Sequence, residues 1–205
     1  MTSPESTPEI RFDRSPQLMS SHDTRLLIID IQERLIPLIS QHDRLIWNIG
    51  RLMEAANLLG METWATEQYP KGLGPSVEPL GNRLPTPKEK LMFSCRECLP
   101  QWTNESTVLD GSKILLAGIE THICVQQTAI DFLDQGYRVY LAVDAVGSRY
   151  PLDHEVALRR MESAGVQLTT TESAIFEWCE VAGTPEFKQI SRLATQIGPS
   201  SEEHA

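Results

Sequence analysis

The chain has 205 residues, enough for one large domain or two small ones, and 40% of them are hydrophobic, as in a soluble globular protein. Apolar runs all fall short of the roughly 18–20 residues that a membrane span needs, so no membrane partner is expected. With 18 Lys and Arg against 28 Asp and Glu the formal charge is −10, which argues against nucleic acid as a partner, because that requires a basic face.

Residues 1–23 open on MTSPESTPEI, which is polar and proline-bearing. It lacks the basic and apolar regions of a secretory signal and reads as a loose leader. The four cysteines, Cys95, Cys98, Cys124 and Cys179, are therefore expected as reduced thiols in a cytoplasmic protein. The first strand is TRLLIID (24–30). A helix follows in DRLIWNIGRLMEAANLLG (43–60), where Leu45, Ile46, Ile49, Leu52, Met53, Ala56 and Leu59 recur at spacings of three and four and Gly60 closes the element. METWATE is the next strand, then a long irregular stretch rich in proline and glycine over about 68–106, a loop length that usually serves function. DGSKILLAGIE gives a turn and a strand, VQQTAIDFLDQG a helix ending at Gly136, and YRVYLAVDAV a strand. DHEVALRRMESAG is a helix with Asp153 as its expected N-cap, VQLTTTE is a strand, and one or two closing helices fill about 173–197. Residues 198–205 are left as a tail, and 24–197 as a single domain with no linker inside it.

Strands alternating with helices of this length imply an α/β fold: a parallel sheet with helices on both faces, a three-layer sandwich of the Rossmann-like kind. In such sheets ligands bind outside the carboxyl ends of the strands. That rule selects Asp30, the segment Glu67-Gln68-Tyr69, and the region from Glu120 to Cys124.

Each candidate has a bland alternative. Cys124 at a helix start is placed to be a reactive thiol, because unpaired N–H groups favour thiolate, yet free Cys is as often a small buried hydrophobe. Asp30 ends an apolar run and either works or caps the next segment. Lys88 and Lys90 both have the look of surface lysines. Cys95 and Cys98 share C-x-x-C spacing, but a structural zinc site needs two further ligands and no second pair exists. The five histidines form no ligand cluster in sequence, and GLGPS lacks the third glycine of a dinucleotide loop.

Taken together, LLIIDIQERLIPLI, TEQYPKGLGPSVEPLG, KLMFSC, GIETHICVQQTAIDFLDQG and VDAVGSR resemble the isochorismatase-like cysteine hydrolase superfamily. The similarity is greatest to the branch of isochorismatase domain-containing proteins and runs from about residue 24 to 193. This resemblance implies a Rossmann-like sandwich and an Asp–Lys–Cys triad at Asp30, Lys90 and Cys124, deciding for Lys90 over Lys88. It also implies a cis peptide at Ile119–Glu120, aiming the Glu120 N–H beside that of Cys124 at a developing oxyanion. The chemistry implied is acyl transfer: Asp30 takes the thiol proton, Lys90 holds the carboxylate, and Cys124 forms a thioester with a small amide or related substrate. Relatives that use a metal carry Asp-x-His near the end of the second strand. Here Glu67-Gln68-Tyr69 stands instead, so neither metal nor other cofactor is expected, and Gln68 and Tyr69 become candidate substrate-binding residues. True isochorismatases cleave a vinyl ether and lack the cysteine. That chemistry, on Asp30 and Lys90 alone, is the first alternative, and a non-catalytic binding protein on the same fold is the second. Homo-oligomers are common in the family and one is expected here.

Overall fold

The computed structural model describes residues 14–102 and 112–199. In chain order the elements are β1 (Thr24–Ile29), α1 (His42–Leu58), β2 (Thr63–Gln68), α2 (Pro70–Leu73), β3 (Lys88–Lys90), α3 (Leu99–Trp102), β4 (Lys113–Ile119), α4 (Gln126–Asp134), β5 (Arg138–Gly147), α5 (Pro151–Ala164), β6 (Gln167–Thr169), α6 (Thr171–Cys179) and α7 (Pro185–Ala194). The six strands form one sheet in the order β3-β2-β1-β4-β5-β6, parallel at every pairing. This is the expected doubly wound α/β sandwich. Among the described residues no helix is long and apolar enough to cross a membrane.

The central strands are apolar on both faces because both faces are covered. Their period of two sends alternate side chains to opposite layers. Leu26 and Ile28 of β1, with Leu115, Ala117 and Ile119 of β4, pack on Leu45, Ile49 and Leu52 of α1 and on Ile175, Trp178 and Ile190 of the closing helices. Leu27 and Ile29, with Ile114 and Leu116, pack instead on Ala129 and Phe132 of α4 and on Ala157 and Met161 of α5.

The chain leaves β1 toward β2 on one side, and after β3 it returns to add β4 on the other. The β1/β4 boundary is therefore the topological switch point, where open α/β sheets bind ligands. The backbone of β4 leaves no room for a side chain toward β1 there. Gly118, opposite Ile29 in the register, has φ 121°, and a Cβ on it would lie 2.1 Å from the Ile29 carbonyl oxygen, so only glycine fits.

Three local expectations are corrected. The stretch read as irregular contains β3, an edge strand of sequence KEK, as well as α2, α3 and 3₁₀ turns at Gly81–Arg83 and Cys95–Cys98; its residues from 103 to 106 lie outside the described ones. α5 starts earlier than expected, with Pro151 in its first turn and Tyr150 before it, and Asp153 sits inside that turn without capping. Proline's missing N–H suits that position, where no intrahelical acceptor exists. Finally, the described part of the expected loose leader, residues 14–23, is docked. Met19 is fully buried, its N–H donates to the Glu177 carboxylate at 2.8 Å, and the Tyr140 hydroxyl donates to the Gln17 carbonyl. Residues 1–13 and 200–205, the rest of the expected leader and most of the tail, lie outside the described residues.

Candidate active site

Asp30 follows the last residue of β1 in the left-handed region, φ 51°, a conformation in which Asp is better tolerated than most side chains. Its carboxylate is fully buried. The Lys90 ammonium, at the end of β3, donates to Oδ2 at 2.7 Å, and the Thr66 hydroxyl on β2 donates to Oδ1 at 2.8 Å. Cys124, on the opposite side of the switch point, has its thiol near enough to the same carboxylate to feel its charge. The three residues expected as a triad are thus brought together from strands far apart in sequence.

Lys90 reaches them because β3 pairs in register with β2, Gln68 opposite Lys90. That register turns the lysine inward although its strand is charged. Its other acceptors are Gln68 Oε1 at 2.7 Å, Phe93 O at 2.9 Å and Met92 O at 3.4 Å, so its three protons are all committed. Burial alone would lower the Lys90 pKa; the Asp30 charge, with the Cys95 and Cys124 sulfurs, outweighs it and holds the ammonium above its ordinary value.

Cys124 lies in a π-helical turn, Thr121–Val125, which runs directly into α4. Such turns recur at functional sites. The turn is pinned from outside: the Thr121 hydroxyl meets His154 Nδ1 at 3.0 Å, and His122 Nδ1 meets the Ser148 hydroxyl at 3.0 Å. The thiol is 6% exposed. Its pKa moves opposite to what a helix start suggests. Burial pushes it up, the Asp30 charge adds to that, and Lys90 only partly opposes them. Burial and the neighbouring carboxylate thus favour the neutral form of the thiol.

Ile119 sits in the core, and the Ile119–Glu120 peptide is cis. The Glu120 carboxylate accepts from Arg149 N at 3.1 Å and Arg149 Nε at 2.9 Å, which ties the turn to the β5–α5 connection. Gln68, a candidate for holding substrate, spends its side chain within the protein: Oε1 accepts from Lys90, and Nε2 donates to the Leu91 carbonyl at 2.9 Å. Tyr69 is 52% exposed, with its ring over Gly72 and its N–H on the Lys90 carbonyl at 3.0 Å. Beyond Lys90 the consecutive side chains of Leu91, Met92 and Phe93 are also exposed, while Glu97 Oε1 accepts from the Leu91 and Met92 N–H groups.

Four neighbours were given no role at this site by the sequence. Thr66 and Gln32 lie within the stretches that carry the resemblance but have no chemistry that marks them; Gln32 is fully buried and brackets Gln68, donating to its carbonyl at 3.0 Å and accepting from its N–H at 2.8 Å. Cys95 is buried beside Thr66, and Arg149 anchors Glu120. Only the alternation of β2, which puts Thr66 and Gln68 on one face, pointed toward any of them. Glu67, on the other face, accepts from the Ser76 N–H and hydroxyl. Among the described residues no group of three or more His, Cys, Asp or Glu is placed to hold a metal ion.

A buried thiol near a carboxylate that is paired with a fixed cation is an arrangement from which a nucleophile can be generated. The comparisons with known proteins agree in fold. The isochorismatase domain matches residues 24–173. Isochorismatase domain-containing protein 2 of Danio rerio is 37% identical over 183 residues, spanning 89% of this chain and 92% of that protein. Its Homo sapiens namesake is 36% identical over 176 residues, spanning 86% of this chain and 85% of that protein. A Caenorhabditis elegans structure named as MAR1 ribonuclease has a TM-score of 0.81 at 34% identity, covering 92% of this chain and 97% of that one. On the matched domain and on these relatives, the chain belongs to the isochorismatase family and has its parallel-sheet hydrolase fold.

Proposed function

We propose that the chain is a metal-independent cysteine hydrolase that cleaves a small amide or related acyl compound through a thioester on Cys124. The observation that carries this is the buried Asp30 carboxylate, held by the Lys90 ammonium at 2.7 Å and with the buried Cys124 thiol in its field. As substrate enters, the thiol proton passes to Asp30 and the sulfur attacks the carbonyl carbon. The tetrahedral adduct collapses to the thioester, and the leaving amine takes the proton from Asp30. Water then gives a proton to Asp30 and attacks the thioester. Collapse of that adduct releases the acid and returns the proton to sulfur. Lys90 stays charged throughout, so Asp30 can alternate between its two states beside a fixed cation. N–H groups of the turn at Glu120 and Cys124 are the proposed oxyanion donors, and Tyr69 a wall of the substrate's path.

Vinyl-ether hydrolysis needs Asp30 and Lys90 but not the thiol, and a binding protein needs no turnover. A panel of small amides and vinyl ethers assayed with the native chain and with Cys124→Ala separates these readings: the proposal expects amide turnover that the alanine variant loses. Turnover of a vinyl ether that Cys124→Ala retains supports the ether-type chemistry. The names of relatives such as the C. elegans protein make single-stranded RNA a necessary member of the panel; a net charge of −10 argues against it as substrate. A homo-oligomer remains part of the proposal, supported by the exposed apolar side chains of Leu91, Met92 and Phe93 on one side and of Tyr150, Leu152 and Val156 on another.

A further inference from the structure

The Asp30 carboxylate has a third partner that acyl transfer does not itself require. Thr66, 1% exposed, reaches Asp30 Oδ1 at 2.8 Å and the Cys95 sulfur at 3.6 Å with one hydroxyl. A hydroxyl has a single proton, and an ionised carboxylate only accepts. In the resting site, therefore, the Thr66 proton lies on Asp30, and the Cys95 thiol donates to the Thr66 oxygen. Cys95 is itself fixed: its N–H donates to Thr128 Oγ1 at 2.9 Å, and Thr128 lies on α4 four residues beyond Cys124. The chain Asp30–Thr66–Cys95–Thr128 thus connects the proposed base to the helix of the proposed nucleophile behind the reacting atoms.

We propose that Thr66 is a positioning residue that sets how readily Asp30 takes the Cys124 proton, with Cys95 as the counter-partner that lets its hydroxyl reverse. This rests on the reading of Asp30 as the base. While Asp30 is ionised, the sequence of donors runs Cys95 S–H to Thr66 O–H to Asp30 Oδ1. Once Oδ1 is protonated, it donates to the Thr66 oxygen, and the Thr66 proton turns to the Cys95 sulfur, whose own proton swings away. The proton that Asp30 gains is the one Cys124 gives up; Thr66 and Cys95 each keep one proton, and only the direction of their bonds changes. Sulfur suits this role because it is a weak donor and a weak acceptor. The thiol form it needs is the one the surroundings favour: burial and then the Asp30 charge push Cys95 up to about 12.

A bond to a charged acceptor is roughly twice as strong as one between neutral groups. Removing the Thr66 hydroxyl therefore costs the ionised form of Asp30 more than the protonated one, and drives the shared proton from Cys124 toward Asp30. Damage to the site alone would make the thiol less reactive; loss of this bond makes it more reactive. The other charged and titratable groups facing the carboxylate are Lys90 from β3, Cys124 from the π turn, and Cys95 and Cys98 from the 3₁₀ turn; all four stay in place.

The test is the pH profile of Cys124 alkylation by iodoacetamide, read by peptide mass spectrometry, which needs no substrate. Thr66→Val is expected to move the midpoint down by about one unit, corresponding to roughly a tenfold change in the thiolate equilibrium. Thr66→Ser should retain the native profile, and Cys95→Ala should shift it the same way by less. If Thr66→Val does not fold, Thr66→Ala reads the same quantity. A profile for the valine or alanine variant that coincides with the native one, or an equal shift in Thr66→Ser, overturns the proposal. Asp30→Asn separates it from the reading it rests on. If the asparagine variant shifts the profile and the Thr66 variants do not, Thr66 alone is wrongly assigned; if Asp30→Asn leaves the profile unchanged, both fall.

Discussion

Lys90 Nζ lies 2.7 Å from Asp30 Oδ2, and neither side chain is exposed to solvent. An ion pair this deep is a poor source of net stability, because desolvating both charges cancels most of their attraction. Under the proposed function the pair has a chemical use: a carboxylate that is to receive a proton from a thiol needs a dry site with a fixed counter-charge.

The pair makes a stability prediction. Removing one partner leaves an uncompensated buried charge, so Lys90→Met should destabilise the fold by about 3–5 kcal/mol. Combining it with Asp30→Asn should restore part of that loss. Urea unfolding of the two single variants and the double variant checks this, and strictly additive losses would contradict it.

Gln68 offers a test of role. Its carbonyl oxygen holds Lys90 and its amide nitrogen holds the Leu91 carbonyl, contacts that favour an effect on the lysine over the expected contact with substrate. Once a substrate is found, Gln68→Leu should lower kcat by about tenfold or more with little change in KM, the pattern of a contact that matters only in the transition state. A rise in KM at constant kcat would return Gln68 to substrate binding.

Gly118 is the tightest backbone approach at the switch point. With φ 121° and a Cβ that would lie 2.1 Å from the Ile29 carbonyl oxygen, Gly118→Ala has no small adjustment open to it. The loss should reach the exceptional range of about 4 kcal/mol or more, read as failure to fold or as a collapse of the thermal midpoint.

His154 couples the fold to pH. Burial lowers its pKa, with Glu155 opposing, while its Nδ1 meets the Thr121 hydroxyl beneath the π turn. The unfolded chain then binds the proton more readily than the folded one, so stability rises with pH across this titration. The contribution is complete above the unfolded value of about 6.5 and is lost as pH falls through it toward the folded one. Urea midpoints at pH 7.5 and 5.5 should fall more for the native chain than for His154→Gln.

What the sequence revealed follows from which interactions leave a pattern in it. The strands buried on both faces, LLII and KILLAGI, and the helix with Leu45, Ile49 and Leu52 in its core announce themselves by apolar periodicity, and with them the α/β class. Asp30 and Cys124 follow from strand ends. Strand β3 does not: KEK at a sheet edge has no apolar period, and Lys90 is turned inward only by its register with Gln68, so a family resemblance was needed to prefer it to Lys88. Thr66 and Cys95 are ordinary residues whose importance arises from one hydroxyl meeting two partners in three dimensions. The upward shift of the Cys124 thiol was also hidden, because a helix start favours thiolate while the burial and the neighbouring carboxylate that overcome it belong to the assembled fold.

The most direct test of the central claim is intact-protein and peptide mass spectrometry of the native chain quenched in acid during turnover of a small amide or its activated ester. One added acyl mass is expected on the peptide carrying Cys124, absent from Cys124→Ala and discharged by water on further incubation. Turnover that proceeds at the native rate in Cys124→Ala, with no acyl mass on any cysteine, would contradict it.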